Sequence, residues 1–153
     1  MKHYKDEKNN IFAYESDGSQ DAFIKEGLVP ISDEDLAAMI APTTEQLLSQ
    51  LSAARKEQER QGVTINGIRY AGDPGNRQTL QEAITYIEDA GLAEFPSWKD
   101  SDGVFHQNNP LADVKDAARA IGARRSQLIA AEGEYAAQII AGTLTDLSEV
   151  VWP

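Results

Sequence analysis

One stretch limits the fold of this chain more than any other. From Leu111 the apolar positions Val114, Ala118, Ile121, Leu128, Tyr135 and Ile139 recur at three- and four-residue steps. The spacing predicts one long amphipathic helix, with Pro110 at its first position, Asn108 or Asn109 as its cap and Gly142 at its end. Arg125 interrupts the seam at one position. A stripe of that length needs an apolar partner. Val114, Ile121, Leu128 and Tyr135 are expected to meet a second copy or another protein, with packing inside the domain as the alternative.

The segment before this helix, "VTINGIRYAGDPGNRQTLQEA" from Val63 to Ala83, raises the question of a nucleotide site. Val63 and Ile65 before Asn66-Gly67, and Ile68 and Tyr70 after it, predict a tight hairpin. "GDPGN" reads as a turn, and the helix from Arg77 uses Leu80, Ala83, Ile84 and Ile87, with Gly91 as its C-cap. A phosphate loop needs G-x-x-x-x-G-K-[ST], and a dinucleotide fingerprint needs G-x-G-x-x-G after a parallel strand. Gly72 and Gly75 satisfy neither, although Arg77 could hold an anion at the helix start. The loop is expected to join and not to react. A second hairpin follows in "FPSWKDSDGVFH", with Trp98 opposite Val104 or Phe105.

Upstream, "HYKDEKNNIFAYES" predicts a hairpin around Asn9-Asn10, with Ser19 capping a short helix through Phe23 and Ile24. "GLVPIS" is extended. Ser32 then caps a helix with acids in its first turn, and that helix is expected to bury Leu36, Met39 and Ile40. After Pro42, "TTEQLLSQLSAARKEQERQG" is apolar at Leu47, Leu48, Leu51 and Ala54 but charged all round beyond Arg55. Two readings fit such a helix: it leaves a domain and crosses solvent, or it pairs with copies of itself. The expected class is α+β, in three pieces: an N-terminal unit at 1–42, a connecting helix at 43–62, and a C-terminal unit of two hairpins and two helices at 63–153.

With 153 residues, 41% of them hydrophobic, the chain can bury a core. Its formal charge of −11 disfavours nucleic acid and anionic lipid as partners. It has no Cys, which removes disulfides and thiolate chemistry. "MKHYKDEKNN" has no apolar core of a leader, and no run approaches a membrane span. A soluble, cytoplasmic protein is expected.

Catalytic and metal readings find no support. His3 and His106 lie far apart in sequence and outside any ligand spacing. "DSDG" at Asp100 to Gly103 lacks the remaining ligands of a calcium loop and reads as a hairpin turn. Asp33, Glu34 and Asp35 are helix-start charges, and no serine sits in a G-x-S-x-G elbow. No enzyme activity, cofactor or metal is expected. The basic cluster Lys115, Arg119, Arg124 and Arg125 offsets nearby acids or meets an acidic partner. Trp98 and Phe105 on a short hairpin, and Trp152 at a chain end, are expected to anchor a partner.

From Val63 to the C-terminus the sequence resembles an uncharacterised domain of tailed-phage and prophage tail modules. The likeness rests on "YAGDPGNR" at Tyr70 to Arg77, on Trp98, Lys99, Asp102 and Gly103, and on the long closing helix with its arginines. The segment "YKDEKNNIFAYES…GLVPISDEDLAAMI" is similar to the start of tail-fibre assembly chaperones, as is the ending "VVWP". The resemblance implies a non-enzymatic protein that binds a trimeric tail fibre and helps it fold, trimerise or attach. It would act in the host cytoplasm during assembly. The alternative is a structural component of the baseplate or fibre that stays on the virion tail.

Overall fold

Asn9 takes φ +60°, and the Asp6 carboxylate accepts from the backbone N–H of Lys8 and Asn10. Together they close the hairpin between β1 (Lys2–Lys5) and β2 (Ile11–Tyr14). The computed structural model describes all 153 residues, which fall into two units, Met1–Thr43 and Thr44–Pro153. In the first, β3 (Val29–Ile31) pairs antiparallel with the other side of β1, giving the order β2-β1-β3. A 3-10 turn, Asp21–Phe23, replaces the short helix expected there. α1 (Asp33–Ile40) starts as expected, with Ser32 Oγ accepting from the Asp35 N–H at 3.0 Å.

What α1 covers is a correction. Leu36 and Met39 are only half-buried, Ile40 is 64% exposed, and no residue of Met1–Thr43 is buried. Three short strands and one eight-residue helix have too little apolar surface to enclose an interior.

The second unit runs α2 (Thr44–Gln61), β4 (Val63–Ile65), β5 (Ile68–Tyr70), α3 (Pro74–Asp89), β6 (Glu94–Lys99), β7 (Phe105–Pro110) and α4 (Leu111–Ile140), then a 3-10 turn at Leu147–Glu149. The class is α+β, and both hairpins pair antiparallel. α4 is the spine. Its N-terminal half sets Val114, Ala117 and Ile121 against Leu80, Ile84 and Ile87 of α3, together with Tyr70 and Phe95. Its C-terminal half sets Ile139 against Leu47 and Leu51 of α2 and Leu144.

Three expectations for this unit are corrected. α2 does not stand apart in solvent: it packs along α4 within the C-terminal unit, where Leu47 and Leu51 of its apolar stripe are buried. Part of its charged end turns to α4, through Arg55–Glu132 at 2.6 Å, Gln58–Arg124 at 3.3 Å and Glu59–Arg125 at 3.3 Å, while Lys56, Glu57 and Arg60 stay exposed. α3 begins at Pro74 and not Arg77, because Asp73 caps it by accepting from the Asn76 N–H. Finally, β7 runs straight into α4, so Pro110 holds the cap position with no side-chain cap. Asn109 is 2% exposed and donates to the Tyr70 hydroxyl at 3.0 Å.

Candidate functional site

The end of α2, the exit from β5 and the start of α3 converge on Glu59. Its carboxylate is almost fully buried and meets Arg55 at 2.5 Å, Arg125 at 3.3 Å and Arg77 at 3.5 Å. Arg77 also donates to the Gly72 carbonyl at 2.6 Å. The backbones touch here. A Cβ on Gly72 would overlap the Glu59 carbonyl oxygen, and one on Gly62 would overlap that of Tyr70. Arg77, which could have held an anion at the start of α3, is committed to a carboxylate and a carbonyl of its own chain. Burial works to raise the Asp73 carboxyl, but bonds from the Asn76 side chain and the backbone N–H groups lower it on balance. "YAGDPGNR" is therefore a clamp between elements.

"WKDSDG" is a second clamp. The Asp100 carboxylate receives the backbone N–H of Asp102 and Val104 and meets His106 Nε2 at 2.8 Å. His106, against the opposing effect of burial, holds the Asp100 carboxyl below the ordinary carboxylate range. Asp102 pairs with Arg69 at 2.7 Å, which raises the guanidinium further. Ser101 Oγ accepts from the Ala71 N–H at 2.7 Å, tying the turn to the end of β5. Between the two clamps lies an open cleft of about 640 Å³. Its acids are already engaged: Glu57 with Arg60, Asp73 with Asn76, and Asp100 with His106.

The residues expected to bind a partner separate into two groups. Trp98 lies opposite His106, not opposite Val104 or Phe105. Its ring packs edge-on to Phe95 at 4.9 Å and near Tyr70 at 5.8 Å, at the border of the core. Val114 and Leu128 are fully buried and Ile121 is 4% exposed, inside the chain's own fold and out of a partner's reach. Tyr135 is half-buried, with its hydroxyl bonded to both the N–H and the carbonyl of Val151. Trp152 packs edge-on to that ring at 6.2 Å. Only Phe105, 66% exposed with Lys99 Nζ 5.6 Å from its ring centre, stays open. Spacing alone gives an apolar stripe the same appearance whether it meets another chain or a neighbouring helix. Leu128→Ala is expected to cost about 3 kcal/mol of stability without changing light scattering. A changed oligomeric state at the parent's melting temperature would restore the interface.

The basic cluster is also spent internally. Lys115 pairs with Glu88, Arg119 with Asp116, Arg124 with Gln58 and Arg125 with Glu59. No helix is long and apolar enough to cross a membrane. No group of three or more His, Asp or Glu side chains is placed to hold a metal ion. Neither curated proteins nor solved structures yield a match to the chain. A family model does match: residues 42–151 fit the Domain of unknown function (DUF4376), a span that takes in α2 through the 3-10 turn and holds both clamps. The chain belongs to the DUF4376 family.

Proposed function

We propose that this protein is a non-enzymatic member of a tailed-phage or phage-tail-like tail module that binds the trimeric tail fibre and assists its folding, trimerisation or attachment. The observation that carries the reading is the N-terminal unit. None of its residues is buried, and Phe23, Ile40 and Val29 are 71%, 64% and 56% exposed. A small sheet that encloses nothing gains its apolar burial from another surface. The likeness of this segment to fibre-assembly chaperones, and of the rest to tail-module domains, is what names the fibre as that surface. Phe105 offers a second exposed aromatic. The negative charge suits a protein that keeps sticky intermediates soluble.

The test is co-expression with the fibre encoded in the same tail module. The full chain is expected to raise the yield of soluble trimeric fibre. Phe23→Asp, at an exposed position, is expected to remove the gain without moving the melting temperature. Equal yields with and without the chain sink the reading. Recovery of the chain at fixed stoichiometry in purified particles assigns it to the virion tail instead of the host cytoplasm.

A further inference from the structure

The sheet of β6 and β7 has only two strands, so one edge of β6 has no partner strand. The Asp100 N–H donates to the Val104 carbonyl at 2.9 Å, and the register sets Lys99 opposite Phe105 and Trp98 opposite His106. In an antiparallel ladder, residues that exchange backbone bonds alternate with residues whose N–H and C=O point away. Asp100 and Trp98 thus face β7 with their backbone groups, and Ser97 and Lys99 turn theirs to the free edge.

A slot of about 170 Å³ lies between these β6 residues and the first turns of α3. Tyr70, Leu80 and Trp98 supply its apolar lining, with Asn76, Thr79 and Ser101 as polar neighbours. The Trp98 Nε1–H is buried and has no acceptor. The slot adjoins the larger cleft through Ala71, Asn76, Lys99 and Ser101, which line both. Lys99 is the one cation of that shared wall; its Nζ contacts the Phe105 ring and no carboxylate.

We propose that this slot takes an extended segment of a partner polypeptide. The segment adds as a strand to β6 through Ser97 and Lys99, sets one apolar side chain in the slot against Trp98, and brings an acidic group to Lys99. The lining selects this class of occupant. Outward N–H and C=O groups at alternate residues are satisfied in register by another extended backbone. The slot beside them has room for one aliphatic side chain, and the unengaged charge at its mouth is positive. The inference goes beyond the fibre reading and stands on β6 and α3 whichever particle the partner comes from.

The experiment selects a display library of random short peptides on the full chain. Selected peptides are expected to share an apolar residue followed by Asp or Glu, and to shift the indole N–H resonance of Trp98. Methylating their backbone nitrogens at alternate positions is expected to weaken binding on the order of tenfold. Thr79→Trp, which fills the slot from an exposed position, and Lys99→Glu are each expected to cost on the order of tenfold at an unchanged melting temperature. Selection without a binder, equal binding by Thr79→Trp, or no effect of methylation overturns the proposal. Dimerisation of the parent chain that Thr79→Trp abolishes also overturns it, by making a second copy the occupant. Failure of the fibre co-expression leaves every one of these readings intact.

Discussion

Gly72→Ala is expected to destabilise the C-terminal unit by about 3 kcal/mol, lowering its melting temperature by about 10 °C. The added Cβ would overlap the carbonyl oxygen of Glu59, a backbone atom near the end of α2. A flexible side chain could swing aside, but this oxygen can move only if α2 shifts against β5. Gly62→Ala meets the same obstacle at the Tyr70 carbonyl and adds the strain of φ +70°. Gly122→Ala is the control: it lies inside α4, and beyond the helix's own adjacent backbone no atom comes within 4 Å of the new methyl group. That change is expected to stabilise by about 0.5–1 kcal/mol through helix propensity alone. Thermal melts of the three variants decide the matter. If Gly72→Ala melts with the parent, α2 and β5 do not approach as described.

The second large effect is expected at Glu59. Replacing it by Ala removes the shared carboxylate of Arg55, Arg77 and Arg125, whose side chains are 12%, 29% and 45% exposed. The best-buried guanidinium, Arg55, keeps Glu132, while the other two lose an ion pair and face like charge. The expected loss is about 3 kcal/mol, below the upper end for a fully buried pair because Arg77 and Arg125 retain access to water. Added salt should recover part of it by screening the repulsion. Urea titration at low and high salt reads both quantities. A loss below about 1 kcal/mol, the scale of a surface ion pair, would mean that solvent reaches the cluster freely.

The elements themselves were readable from short-range chemistry. Asn66-Gly67 set the β4–β5 hairpin, Ser32 set the start of α1, and the apolar spacing from Leu111 set α4, because turns, caps and amphipathic periods act over a few residues. That "GDPGN" lacks the Lys-Ser/Thr pair of a phosphate loop was readable too, although its Pro74–Asn76 prove to be the first turn of α3. What Arg77 and Glu59 do was not. Their partners stand 18 residues apart in sequence, at 3.5 Å in space, and nothing near either one announces the other.

The fate of the apolar stripes also lay outside the sequence. Val114, Ile121 and Leu128 carry the same period whether they face a second copy or α2 and α3, so only tertiary packing chose between them. The charged end of α2 looked solvent-bound for the same reason: a buried Glu59 is acceptable only when arginines from α3 and α4 arrive beside it. Trp98 and Trp152 looked stranded, one on a short hairpin and one at a chain end, until Tyr70, Phe95 and Tyr135 supplied rings to pack on. The free edge of β6 is the converse case. Strand propensity fixes that β6 forms, but whether an edge is paired depends on how many strands the fold assembles, and here it assembles two.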